Sequence, residues 1–199
     1  MQKTQLAMFP LQLFLLPGET HKLHIFEERY RQLLEDCENI NISFGIPYTK
    51  NGTITGYGSM VKLKRIISRK RNGAADIEIE ATGVFKVRKF FMRMGEKLYP
   101  GGHVEFIDTT MITPVGNELF QAFKTYLFKS DSPASTEAFS ADLNVFDVAR
   151  LLFMEDSKKI KLLKVNNIED MERLVLNEIN LRLLLLKQMK SVEHNIYLN

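Results

Sequence analysis

The stretch from Phe9 to Cys37 constrains this chain most, because it places several incompatible backbone demands one after another. Phe9-Pro10-Leu11 reads as extended, Leu15-Leu16 runs into Pro17-Gly18-Glu19, Leu23-His24-Ile25 is extended again, and a helix follows. Pro17 fixes one dihedral and Gly18 accepts a positive φ, so the pair predicts a tight turn. In the helix, Phe26, Tyr30, Leu33, Leu34 and Cys37 fall at i, i+4, i+7, i+8 and i+11. Glu27, Glu28, Arg31, Gln32, Glu35 and Glu38 lie off that stripe. Such a helix is amphipathic and needs an apolar partner surface.

The next segments supply one. Phe44-Gly45-Ile46 is a short apolar piece expected to close at Pro47, with Asn51-Gly52 as a turn behind it. Tyr57 to Ile67 reads as a long strand that runs into Arg69-Lys70-Arg71-Asn72-Gly73. Asn-Gly between two strand-like runs predicts a hairpin, since both residues tolerate positive φ. Beyond it Ala75, Ile77, Ile79 and Ala81 alternate with Asp76, Glu78, Glu80 and Thr82, giving one dry and one wet face. Gly83 is expected to break that strand, with Val84 to Phe90 beginning another. Tyr99-Pro100-Gly101-Gly102 is expected to turn into a short strand from His103 to Ile107. Short strands separated by turns favour a closed or nearly closed β-barrel, one end capped by the early helix.

The pattern changes after Pro114. Leu119, Phe120, Phe123 and Leu127 recur at helical spacing, Ser130 to Ser140 reads as a mobile loop, and Val145, Val148, Ala149 and Leu152 mark a second helix. Ile160 and Leu163 mark a third. A fourth begins at Asn167, an N-cap followed by Glu169 and Asp170, and continues through Leu174, Leu181, Leu185 and Met189 to about Glu193. The expected class is α+β, with a β-barrel lobe over residues 1–112 and an all-helical lobe over 113–199.

With 45% hydrophobic and 26% charged residues the composition is that of a globular chain. No apolar run reaches the roughly 18 residues a membrane span needs. Leu6 to Leu16 is broken by Pro10 and lacks a basic leader and a cleavage site, so a cytoplasmic address is expected. Cys37 is the only cysteine, which excludes an internal disulfide and a cysteine zinc site, and its place on the apolar stripe predicts a buried hydrophobe. Residues 51–97 hold 11 basic and 4 acidic side chains, so the middle of the chain is its basic part.

No Gly-x-x-x-x-Gly-Lys-Ser/Thr is present. Gly52, Gly56 and Gly58 lead into a strand, where a dinucleotide site requires a helix amino-terminus. His21 and His24 lie in an extended segment and point to opposite faces, and Ser59 has no readable base partner. These absences predict no catalytic residue, no cofactor and no metal. Lys62, Lys64, Arg65, Arg69, Lys70 and Arg71, with Lys86, Arg88 and Lys89, admit two readings. They form a phosphate-tracking strip for RNA, or a solvated face balanced by Asp76, Glu78 and Glu80. Adjacent Phe90 and Phe91 cannot both face inward on a strand, so Phe90, Phe91 and Met92, near the expected lobe junction, are candidate contacts for an apolar peptide.

The ordered run Phe9-Pro10-Leu11, Pro17-Gly18-Glu19, Leu23-His24-Ile25-Phe26-Glu27, Arg29-Tyr30-Arg31 and Asp36-Cys37 resembles the opening of the Lon protease amino-terminal, or substrate-binding, domain family. Asp147-Val148-Ala149, Lys159, Leu162-Leu163 and Arg173-Leu174 are similar in order to that family's helical subdomain. The resemblance implies a PUA-like pseudo-barrel followed by a helical lobe. It implies a stand-alone, non-catalytic module binding protein or peptide segments, with Phe9, Pro10, Leu11, Pro17, Gly18, Glu19, His24, Phe26, Glu27, Arg29 and Tyr30 serving the architecture. Two alternatives stay open. One is an RNA-binding PUA-like protein using the basic segment 62–89. The other is an accessory subunit of an ATP-dependent peptidase acting in trans, since the ATPase and serine-lysine protease modules of a full Lon protease are not seen in this sequence. The oligomeric state is left undetermined.

Overall fold

A computed structural model describes residues 4–109, 113–130, 140 and 142–196. The chain divides into two compact units, Met1–Thr110 and Met111–Asn199. The first contains β1 (Thr4–Ala7), β2 (Thr20–Ile25), α1 (Glu28–Ile40), β3 (Phe44–Lys50), β4 (Thr53–Arg69), β5 (Ala75–Phe91) and β6 (Gly101–Ile107). All strand pairs are antiparallel, in the order β1-β6-β5-β4-β3, with β2 pairing the first part of β5. The ladder is an open sheet. Two isolated parallel bridges, Met8 to Gly45 and Leu11 to Tyr48, bring the chain after β1 across to β3, so the sheet curls into a pseudo-barrel.

Two glycine turns set the register. Asn51 and Gly52 have φ of 51° and 76°, the two positive values that a two-residue type I′ hairpin turn demands. The second hairpin is wider. Gly73 donates its N–H to the Lys70 carbonyl at 3.0 Å, Lys70 donates to Ala74 at 2.7 Å, and Gly73 takes φ of 82° while Asn72 does not cross to positive φ. That is a three-residue loop ending in a left-handed residue.

The alternation from Ala75 to Ala81 appears as expected, with Ala75, Ile77, Ile79 and Ala81 buried. Several boundaries differ from the sequence reading. Gly83 does not end a strand, because β5 runs through it and shifts phase there, leaving Val84 and Phe85 both buried. β3 passes through Pro47 with a bulge before Thr49. Gly101 and Gly102 are strand residues paired with Ala7 and Leu6 on one side and Phe91 and Phe90 on the other. A Cβ on Gly102 would fall on the Lys89 carbonyl oxygen and 2.5 Å from Met8 Cε, so glycine is required there by close approach and not by a turn.

The main core joins Ile25, Phe44, Ile46, Val61, Ile77 and Ile79 of the sheet, and Phe9 and Leu15 of the segment between β1 and β2, to Tyr30, Leu33, Leu34 and Cys37 of α1. Burying each large apolar side chain contributes about 1.5–3 kcal/mol, so the apolar face of α1 is a principal source of cohesion. A smaller cluster of Leu6, Met8, Phe85 and Val104 lies apart from it. Phe26 departs from the stripe, since it precedes the helix and is 64% exposed.

The second unit contains α2 (Asn117–Lys129), α3 (Val145–Leu151), α4 (Asp156–Leu162) and α5 (Ile168–Ile196). Leu119, Phe123 and Leu127 of α2, Val145, Val148 and Ala149 of α3, Ile160 and Leu162 of α4, and Val175 and Ile179 of α5 are buried. Asn167 Oδ1 accepts the Asp170 N–H at 2.7 Å, the N-cap read from the sequence. Of the loop expected from Ser130 to Ser140, residues 131–139 lie outside the described residues. α3 ends in a Schellman turn, Met154 N–H to Ala149 O at 3.1 Å and Phe153 N–H to Arg150 O at 2.9 Å. Its left-handed residue is Phe153, with φ of 49°, where a side chain costs about 1–2 kcal/mol over glycine.

Candidate functional site

Several residues of the opening run gather around the start of α1. Phe9 stacks on Tyr30 with ring centroids 3.8 Å apart, and the Arg29 guanidinium lies 4.7 Å from the Tyr30 ring centroid while pairing with Glu27 at 2.7 Å. Gly18 takes φ of 85° and donates its N–H to the Ala81 carbonyl at 2.9 Å, and the Glu19 carbonyl accepts from Ala81 at the same distance. The Glu19 carboxylate accepts the Leu16 N–H at 2.7 Å. The turn read at Pro17-Gly18 therefore locks the incoming chain to β5.

Arg31 donates to the Asn72 carbonyl at 2.6 Å, and Arg69 pairs with Glu38 at 2.6 Å, so the charged flank of α1 holds the β4–β5 hairpin. The other side of the helix holds the loop after β5. Tyr99 Oη donates to Asp36 at 2.6 Å, Lys97 Nζ donates to Asp36 at 2.9 Å, and the Leu98 N–H donates to Gln32 Oε1 at 2.7 Å. Burial alone would raise the Asp36 pKa, but the hydrogen bonds from Lys97 and Tyr99 and the Lys97 charge outweigh it and hold the carboxyl below its ordinary value. Sequence reasoning missed this tie, because its partners lie some sixty residues apart and nothing local announces them.

The pinned loop and the start of α1 border an open surface cleft of about 440 Å³ lined by Glu27, Glu28, Arg29, Met92, Arg93 and Leu98. Met92 is 70% exposed, an unbranched apolar side chain on a held segment with charged groups of both signs around it. The three candidate peptide contacts thus have different surroundings. Phe90 packs against the small cluster of Leu6, Met8, Phe85 and Val104. Phe91 is half-buried, edge-on to His103 at 5.0 Å with Lys89 Nζ 5.4 Å from its ring centroid. Only Met92 of the three lines the cleft.

The basic residues sit largely in pairs. Lys62 meets Glu80 at 3.5 Å, Lys64 and Arg65 meet Glu78 at 3.4 and 2.5 Å, and Arg88 meets Glu105. Lys86 stands opposite Glu105 in the β5–β6 register. Lys70 and Arg71 project at the hairpin, exposed.

Ser59 is fully buried, and its hydroxyl accepts the Leu15 N–H at 2.8 Å while donating to the Leu15 carbonyl at 2.7 Å. That satisfies a backbone segment that has left the ladder. Burial, with the Asp36 and Glu38 charges, pushes the Cys37 thiol up to about 12, so it stays protonated inside the core. His24 Nδ1 lies 2.6 Å from Asp76 Oδ1, and Ser68 donates to the other oxygen at 2.7 Å, on an exposed face. Among the described residues no three of His, Cys, Asp or Glu converge as metal ligands. No described helix is long and apolar enough to cross a membrane.

The fold recurs in solved structures. A Lon N-terminal domain protein from Xanthomonas campestris aligns at a TM-score of 0.67 with 23% identity, covering 87% of this chain and 98% of its own. The N-terminal domain of the Mycobacterium avium complex Lon protease aligns at 0.59 with 10% identity, covering 89% and 98%. At such identities the likeness is one of fold. No curated protein sequence matches the chain. The family model of the ATP-dependent protease La (LON) substrate-binding domain matches residues 5–181. With that match running from β1 into α5, over the ordered run that builds α1 and its surroundings, the chain belongs to the Lon substrate-binding domain family.

Proposed function

We propose that this chain is a non-catalytic module that recognises polypeptide segments, and that the cleft beside Met92 takes an apolar side chain of the bound segment. The observation that carries this reading is the exposure of Met92 on a loop tied down by Asp36 and Gln32. An exposed apolar group on a rigid segment loses little conformational entropy on binding, and thioether packing tolerates many partner shapes. Arg29 and Arg93 opposite Glu27 and Glu28 give the rim both signs of charge, which suits varied flanking residues. Phe91 extends the contact along the same segment, and Phe90 supports it from within.

Fluorescence anisotropy with labelled denatured-protein peptides tests the reading. Met92→Asp is expected to weaken binding about tenfold with an unchanged Tm, because the side chain is exposed. Phe90→Ser is expected to lower the Tm. Absence of binding across a broad peptide array, or full affinity in Met92→Asp, would overturn the assignment.

A further inference from the structure

A groove of about 250 Å³ lies in the helical unit, its apolar wall formed by Met154, Leu174 and Leu181 and its polar wall by Lys158, Lys161 and Glu178. The charges there do not balance. Glu178 is buried and already pairs with Lys158 at 2.8 Å and Arg182 at 2.9 Å, so one carboxylate faces two cations. Lys161 is exposed and has no carboxylate partner among the described residues. The groove is apolar at its floor and positive at its edge.

A second observation concerns the residue before Met154 in the chain. Phe153, next in the chain to Met154, is 83% exposed and held at positive φ, a position where glycine would be unstrained and would expose no apolar surface. Within the isolated unit neither strain nor exposure has a visible return. Both are offset if the ring packs on something outside the chain. Leu184 and Leu185 continue the exposed apolar face along α5.

We propose that this groove docks an acidic amphipathic segment of another protein, two neighbouring apolar side chains entering between Met154, Leu174 and Leu181, and carboxylates meeting Lys158 and Lys161. Phe153 closes over the segment at the groove's end. The proposal does not depend on the Met92 cleft. The volume admits about two aliphatic side chains, the number that one turn of an amphipathic helix presents at i and i+4.

The test uses the full chain and two labelled peptides that share leucines four residues apart, one with glutamate and the other with lysine between them. The glutamate peptide is expected to bind at least about tenfold more tightly and to weaken as salt rises. Lys161→Glu is expected to lower its affinity about tenfold with an unchanged Tm, the side chain being exposed. Phe153→Gly is expected to raise the Tm by a few degrees while weakening the peptide severalfold, a split that a purely structural residue would not produce. Repeated in the Met92→Asp background, which removes the contribution of the cleft, the loss caused by Lys161→Glu is expected to persist. Equal binding of the two peptides, or indifference to Lys161→Glu, would overturn the proposal. So would a dimer in sedimentation analysis that Leu181→Asp dissolves, since the face would then belong to a second copy.

Discussion

Asp36 accepts from Tyr99 and Lys97, and through them α1 holds the loop that carries Met92. Its folded pKa is depressed, so its contribution to stability is complete above the unfolded value of about 3.8 and is lost as pH falls through the lower folded value. The Tm of the native chain is therefore expected to fall more steeply than that of Asp36→Asn as pH drops through and below the unfolded value. At neutral pH the substitution is expected to destabilise by about 1 kcal/mol, the Lys97 component being discounted for solvent access. Equal acid profiles in thermal melts would remove Asp36 from this role. Ser59 makes a sharper case. Ser59→Ala leaves the Leu15 N–H and carbonyl without their partner in a dry site, an expected loss of about 1–3 kcal/mol by chemical denaturation. The same residue is expected to be inert to serine-directed acylating probes.

Among the elements, Gly102 is the tightest point of the small cluster. Gly102→Ala is expected to cost about 1–3 kcal/mol or more in denaturant titrations, since neither the Lys89 carbonyl nor Met8 can withdraw without moving a strand. The sequence suggested a turn at this glycine, because glycine pairs signal turns more often than close approaches and the colliding atoms come from distant segments. The alternation of Ala75 to Ala81, the Asn167 cap and the Asn51-Gly52 turn were legible because their causes lie within a few residues. Phe26 was misplaced by the same local logic: it fits the helical period, but the helix begins after it. Met92 was legible only as one of three neighbouring apolar residues. Its separation from Phe90 depends on where β5 ends and on the pinning by Asp36, which no periodicity encodes.

At the scale of the molecule, the excess of cations in residues 51–97 is drawn down by cross-strand and helix carboxylates, so it does not form a continuous strip. A structured RNA is accordingly expected to give no salt-sensitive shift at physiological ionic strength, and neutralising Arg69, Lys70 and Arg71 together is expected to reduce the Tm modestly through the loss of the pair with Glu38. Tight binding that collapses with salt would reverse this reading of the basic segment.

The pairing of Thr4 with Val104 also has a consequence for the order of events at the ribosome. β1 is translated about 100 residues ahead of its ladder partner, and at the usual pace of synthesis that interval is roughly 5–20 s. Until β6 emerges, Leu6 has no ladder partner, and the nascent β1 segment can be held only through the bridge from Met8 to Gly45 of β3.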